Sequence, residues 1–264
     1  MGFCVTIYAQ IWNARTLPKS ALMRNQWQNQ FKRTMYFDPL YLLLFLGTMA
    51  LSFFASWRVK SAYARYSQVP ARSGLSGAQI AQRILDINGI RDVTISPVRG
   101  QLSDHYDPTN KQLMLSEENY YGTNVAALGV AAHECGHAIQ HQQLYAPLQW
   151  RMAAVGITTI AGQIIPFVGF GLLYFAPKIA LPILAMCFGI VMLFQLITLP
   201  VEFDATARAK RVLASTGAVA PGEETAAMSR VLDAAALTYV AAFISALGTF
   251  LYYAMLLLGG RRND

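Results

Sequence analysis

Apolar and polar residues fall in long blocks along this chain instead of mixing evenly. Four blocks carry no Asp, Glu, Lys or Arg: Pro39 to Trp57, Met152 to Pro177, Ile179 to Val201 and Ala234 to Gly260. A helix rises about 1.5 Å per residue, so about 20 apolar residues cover the hydrocarbon core of a bilayer. Every block reaches that length, the first narrowly. Four such blocks predict four transmembrane helices rather than buried helices of a soluble core.

Only Lys178 separates the second and third blocks, with Pro177 and Pro182 beside it. That pattern predicts a tight helical hairpin, down and back. The residues before Met152 and after Val201 then lie on one side of the membrane, and Glu202 returns to the face that carries the middle of the chain. Pro200, just before it, predicts a break or a helix start at the membrane surface.

The polar stretches between the blocks carry shorter signals. In "LSGAQIAQRILDINGI", Ser76 and Gln79 form a capping box, Ile80, Ile84 and Leu85 make an apolar face, and Gly89 suits the stop. Val93 and Ile95 alternate as in a strand, Asp107-Pro108-Thr109-Asn110 has turn chemistry, and Leu113 and Leu115 begin another strand. We read a small antiparallel sheet of two or three strands. Thr123 or Asn124 caps the next helix. From Glu202 a helical stretch runs on, breaks between Gly217 and Gly222, and resumes at Glu223.

Composition agrees with the blocks. Of 264 residues 55% are hydrophobic and 13% charged, with a mean hydropathy of +0.34; about 25% charged is usual for soluble domains. The net charge of +7 sits at span ends. Arg58, Lys60 and Arg65, then Arg151, then Arg208, Lys210 and Arg211 share one side, which the positive-inside rule makes cytoplasmic. Arg15, Lys19, Arg24, Lys32, Arg33, Arg261 and Arg262 oppose them. Residues 1–34 differ from the rest, and Met35 is a second candidate start. Cys4, Cys135 and Cys187 show no pairing logic and no metal-binding spacing. Nothing points to nucleic acid.

The chemistry lies in "VAAHECGHAIQHQ". Positions i and i+4 are neighbours on one helix face, so His133 and His137 can reach one zinc ion. Glu134 stands about 100° around the helix, placed to take a proton from a zinc-activated water rather than to bind metal. Zinc in such a site brings the pKa of its water to roughly 7, and Glu134 then passes the proton to the leaving amine. The flanking residues are small or apolar, and Gly136 implies close approach of another backbone. A catalytic zinc needs a third protein ligand and an open position, and Glu202 is the candidate. His141 and Asp204 are rivals. Three histidines on successive turns spread along about 12 Å, however, and Asp204 faces nearly opposite to Glu202 on a helix.

Together, "MYFDPLY", "GQLSDHYDPTNKQLMLS", "VAAHECGHAIQHQ" and "LPVEFDATARA" resemble the YugP-type neutral zinc metallopeptidases of bacterial membranes, from about Met35 to the C-terminus. The resemblance implies zinc (Zn2+) held by His133, His137 and Glu202, with Glu134 as catalytic base, in a gluzincin-like membrane peptidase. It also implies a distant similarity to HtpX and CAAX-prenyl proteases. Those relatives carry Glu-x-x-x-Asp at the third ligand, where the Asp orients a ligand histidine. Thr206 stands at that position here, a neutral hydroxyl in the same supporting role.

The expected fold is mainly α, an integral-membrane helical protein with a zincin-like catalytic domain. The chain divides into an extension over 1–38, a first span over 39–57, catalytic segments over 58–151 and 202–233 around a transmembrane hairpin over 152–201, a fourth span over 234–260 and a tail over 261–264. Residues around Val98 to Tyr106, or Leu113 to Ser116, are expected to supply a sheet edge that binds extended substrate. His105 or Tyr106 could donate to an oxyanion there, although the Asp-Pro turn explains that segment without a site. The expected partners are a peptide or protein substrate and the lipid bilayer, with the active site on the cytoplasmic face of the bacterial inner membrane. The expected role is quality control or processing of membrane proteins. Two other functions are weighed. One is a scaffold whose structural zinc is closed by His141 or Asp204 as a fourth ligand. The other is a transporter, for which Gln163 and Gln195 are the main polar residues inside the spans and no charge lies there.

Overall fold

The structure is a computed structural model that describes residues 38–260. Expectations for residues 1–37 and 261–264, including Cys4 and the basic N-terminal residues, lie outside the described residues. Helix α1 spans Pro39–Tyr66. Its N-terminus is fixed by Asp38, whose side chain accepts from Leu40 N at 2.9 Å, and by Pro39 in the first turn. It runs past the apolar block without a break, so Arg58, Lys60 and Arg65 ride on the helix that leaves the membrane. Four helical stretches are long and apolar enough to cross a bilayer: Pro39–Tyr66, Ala146–Phe175, Pro177–Thr216 and Glu223–Gly259.

Helix α2, Gly77–Ile87, starts on the Ser76–Gln79 capping box and ends before Gly89, which takes φ of 69°. Strands β1 (Thr94–Val98), β2 (His105–Asp107) and β3 (Gln112–Ser116) follow. The sheet is mixed, not antiparallel: its order is β1-β3-β2, with β3 parallel to β1 and antiparallel to β2. Leu113 and Leu115 of β3 are fully buried, which draws that strand to the centre, while the Asp107 turn makes β2–β3 a hairpin. Alternation reports which face of a strand is buried, not which neighbours it takes. Because β3 is central, Leu113 to Ser116 is not an edge.

A short helix α3, Glu117–Tyr121, leads to α4, Val125–Gln142, which Asn124 caps by accepting from Ala127 N at 2.9 Å. Helix α4 is the buried axis of the polar half. Its Leu128, Ala131, Ala132 and Cys135 pack among Ile80 and Ile84 of α2, Leu113 and Leu115, and residues of the last two helices.

Helix α5, Ala146–Pro166, continues through a π-helical turn, Phe167–Leu172, and a last α turn, Leu173–Phe175. The chain reverses at Ala176 into α6, Pro177–Thr216. This is the hairpin that Lys178 and its prolines predict. Pro200, however, neither breaks nor starts a helix: α6 runs through both Pro182 and Pro200 and stops only at Gly217, φ 64°. Each proline removes one backbone donor, and neighbouring helices hold the line. Helix α7, Glu223–Gly260, closes the bundle antiparallel to α1. Arg230 donates to Tyr66 Oη at one end of the pair (2.8 Å), and Tyr252 Oη donates to Asp38 at the other (2.9 Å).

Candidate metal centre

Glycine 136 brings the site together. A Cβ there would stand 2.7 Å from the carbonyl oxygen of Ala205, so the backbones of α4 and α6 touch one residue before His137. Glu202 lies three residues before Ala205, on the adjacent turn of α6. The contact therefore delivers its carboxylate to the two imidazoles.

Glu202 Oε2 is 3.2 Å from His133 Nε2 and 3.5 Å from His137 Nε2, and the ligand atoms of all three residues lie within 4.8 Å of one another. Donors about 2.0–2.1 Å from a tetrahedral ion stand about 3.3–3.4 Å apart, so two imidazole nitrogens and one carboxylate oxygen fit zinc here in type and in spacing. The rings meet nearly edge to face, at 86° with centroids 4.9 Å apart.

The far side of each group is held. Gln140 is fully buried, and its Nε2 donates to Val201 O and to Asp204 Oδ2, both at 2.8 Å. Its Oε1 therefore faces His137 Nδ1, at 3.0 Å, as the acceptor. The His137 proton is thus drawn to Nδ1, and the Nε2 lone pair is left for a metal. Thr206 Oγ1 stands 3.3 Å from His133 Nδ1. Arg151, at the start of α5, donates to Glu202 Oε1 at 2.7 Å, which leaves Oε2 alone to face the histidines. The two rivals are occupied elsewhere: His141 Nδ1 pairs with Tyr106 Oη at 2.9 Å, and Asp204 accepts from Gln140 and Arg208.

A cavity of about 230 Å³ opens beside His137 and Glu202, lined by His105 and Tyr106, by residues of α5, and by Glu134, Tyr239 and Asp104. Burial pushes the Glu134 carboxyl up to about 7, against the pull of the His133 imidazole. His105 is exposed, and its Nδ1–H donates to Ser103 O at 2.8 Å. The Tyr106 hydroxyl is turned to His141, and burial raises its pKa to about 12. Asp104 accepts from Ser116 and Asn119, which fixes the approach to β2.

Gln140, Arg151, Tyr239 and Asp104 are not site residues in the sequence reading. Gln140 carries a usable signal, an amide three residues after a candidate ligand on the same helix. Arg151 reads only as a span-end charge, and Tyr239 sits in an uncharged block with no local mark.

The chain matches the family described as "Putative neutral zinc metallopeptidase" over residues 41–258. It is 44% identical over 225 residues to the "Putative membrane protease YugP" of Bacillus subtilis (strain 168), a match that covers 85% of this chain and all of that protein. No solved structure gives a significant match. With two histidines, a returning glutamate and four apolar helices already in place, this similarity along nearly the whole described length decides the kinship: the chain belongs to the neutral zinc metallopeptidase family.

Proposed function

We propose that this protein is a membrane-embedded zinc endopeptidase whose site faces the cytoplasm. The observation that carries the reading is the donor triad of His133, His137 and Glu202, two of whose members, His137 and Glu202, line a cavity that Glu134 also lines. Bound by His133 Nε2, His137 Nε2 and Glu202 Oε2, zinc supplies Lewis acidity that activates water near neutral pH and polarises a carbonyl. Glu134 takes the proton of the attacking water as the new C–O bond forms, then delivers it to the amine as the C–N bond breaks. Its burial favours this, because a carboxyl with a raised pKa returns a proton readily. Gln140 and Thr206 hold the two imidazoles, and Arg151 keeps the second oxygen of Glu202 away from the metal position.

The scaffold reading needs a fourth protein donor, and both His141 and Asp204 have other partners. Basic residues at the inner ends of the spans support a cytoplasmic site, and the polar wall and small sheet support a protein substrate. In purified protein zinc is expected at about one equivalent, as the one such triad among the described residues requires. Glu134→Gln is expected to keep the metal and to lose cleavage of casein by several orders of magnitude. Cleavage at the wild-type rate by that variant refutes the mechanism.

A further inference from the structure

One wall of the cavity belongs to a membrane helix. Leu148, Arg151, Met152 and Val155 of α5 all line it, and their spacing of i, i+3, i+4 and i+7 makes one continuous stripe. The stripe crosses the bilayer boundary. Arg151 is the last charge before the uncharged block that Met152 begins. Val155 lies four residues beyond Arg151, about 6 Å deeper. Leu148 is 5% exposed and Val155 48%, so the stripe is covered at its polar end and open at its membrane end.

A second helix gives the same depth. Glu202 follows Val201, the last residue of the third uncharged block, and Arg151 reaches Glu202 directly at 2.7 Å. Both helices therefore place the triad at the membrane surface, not at the tip of a domain standing away from it.

The strand β2 lines the same cavity. Among the described strands it pairs only with β3, so its other edge keeps unpaired backbone donors and acceptors. His105, Tyr106 and Pro108 of this segment line the cavity. An extended peptide can pair with such an edge, and its side chains then point alternately to either side.

We propose that the cleft between β2 and α5 takes an extended segment of a membrane-anchored polypeptide at the bilayer surface. It seats an apolar side chain of that segment against Leu148, Met152 and Val155. This rests on the peptidase reading above and names its substrate class. A polar side chain on that stripe loses its water without gaining a partner, whereas an apolar one is stabilised by burial. A transmembrane anchor holds the segment at the depth of the site, and tethering raises its local concentration far above that of a free peptide.

The test uses the full chain in proteoliposomes. The substrate has one transmembrane helix followed, on the site side, by an unstructured polar cassette with a single Leu. The Leu stands either about 4 or about 20 residues from the membrane boundary; at about 3.3–3.6 Å per residue the second is well clear of the surface. The near cassette is expected to be cut beside Leu at least about tenfold faster than the far one. Val155→Trp, which fills the stripe, is expected to shift preference from Leu to Ala by about tenfold or more, while Met152→Ala shifts it toward Phe. Zinc content is measured in both variants, so either one that folds and keeps its metal gives an answer. Equal cutting of near and far cassettes, or unchanged side-chain preference in the zinc-loaded variants, overturns the substrate assignment while casein cleavage leaves the peptidase reading standing. A zinc-loaded wild type that cuts neither cassettes nor casein overturns both.

Discussion

At the scale of residues, the direction of His137 is set by an amide that has no freedom. Gln140 spends its two N–H groups on Val201 O and Asp204, so only its oxygen is left for the imidazole. Thr206 does the corresponding work for His133 through a longer contact of 3.3 Å, and a hydroxyl can rotate away. Removing such partners typically weakens metal binding by about 10–100-fold. Gln140→Met is therefore expected to fall toward the upper end of that range, since it also removes the tie from α4 to Val201 O and Asp204 on α6, and Thr206→Val toward the lower end. Competition with a chelator measures both, and equal affinities in the two variants and wild type contradict these roles. His133, Glu134 and His137 are legible in sequence because one helix brings them together. Glu202 is legible because the uncharged blocks count out its return to the same face. Arg151 and Tyr239 reach the site through tertiary packing between separate helices, which local spacing does not encode.

At the scale of elements, the site depends on two helices touching at a point without a side chain. Gly136→Ala would set a methyl 2.7 Å from Ala205 O, a backbone atom that cannot swing aside. Overpacking of this kind costs about 1–3 kcal/mol, and here it also pushes the carboxylate of Glu202 away from the histidines. The variant is expected to unfold at lower temperature in detergent and to carry less zinc. Gly156→Ala in α5 is the control: nothing lies within 4 Å of the added carbon, and alanine favours a helix. A Gly136→Ala protein as stable and as metal-loaded as the control defeats the packing argument. The close approach at Gly136 could be anticipated, since a glycine amid small residues in a helix asks for one. Strand order could not. Leu113 and Leu115 announce a buried face, but the insertion of β3 between β1 and β2 is decided by the whole core. Pro200 misleads for a similar reason, because an isolated helix would break where a packed one is held.

At the scale of the molecule, four membrane helices present two polar segments on one face, and the candidate metal triad takes residues from each. The count of uncharged blocks carries that topology, including the opposite directions of α1 and α7, in the sequence; that these two are neighbours tied at both ends is not written there. The cytoplasmic orientation is tested with Ser215→Cys, an exposed position at the end of α6, in a background lacking the native cysteines. A membrane-impermeant maleimide is expected to leave it unlabelled in intact cells and to label it after permeabilisation. Labelling of intact cells reverses the assignment. The unbroken course of α6 has a mechanical consequence. Its 40 residues make a rod of about 60 Å that is seated in lipid at one end and carries Glu202 partway along. Helices answer a change in bilayer thickness by tilting, and a helix continuous from the apolar block to Glu202 carries such a tilt toward the residues fixed on it. A change in bilayer thickness is thus expected to alter the distance between the Glu202 carboxylate and the two imidazoles, which makes the surrounding lipid a variable of the proposed site.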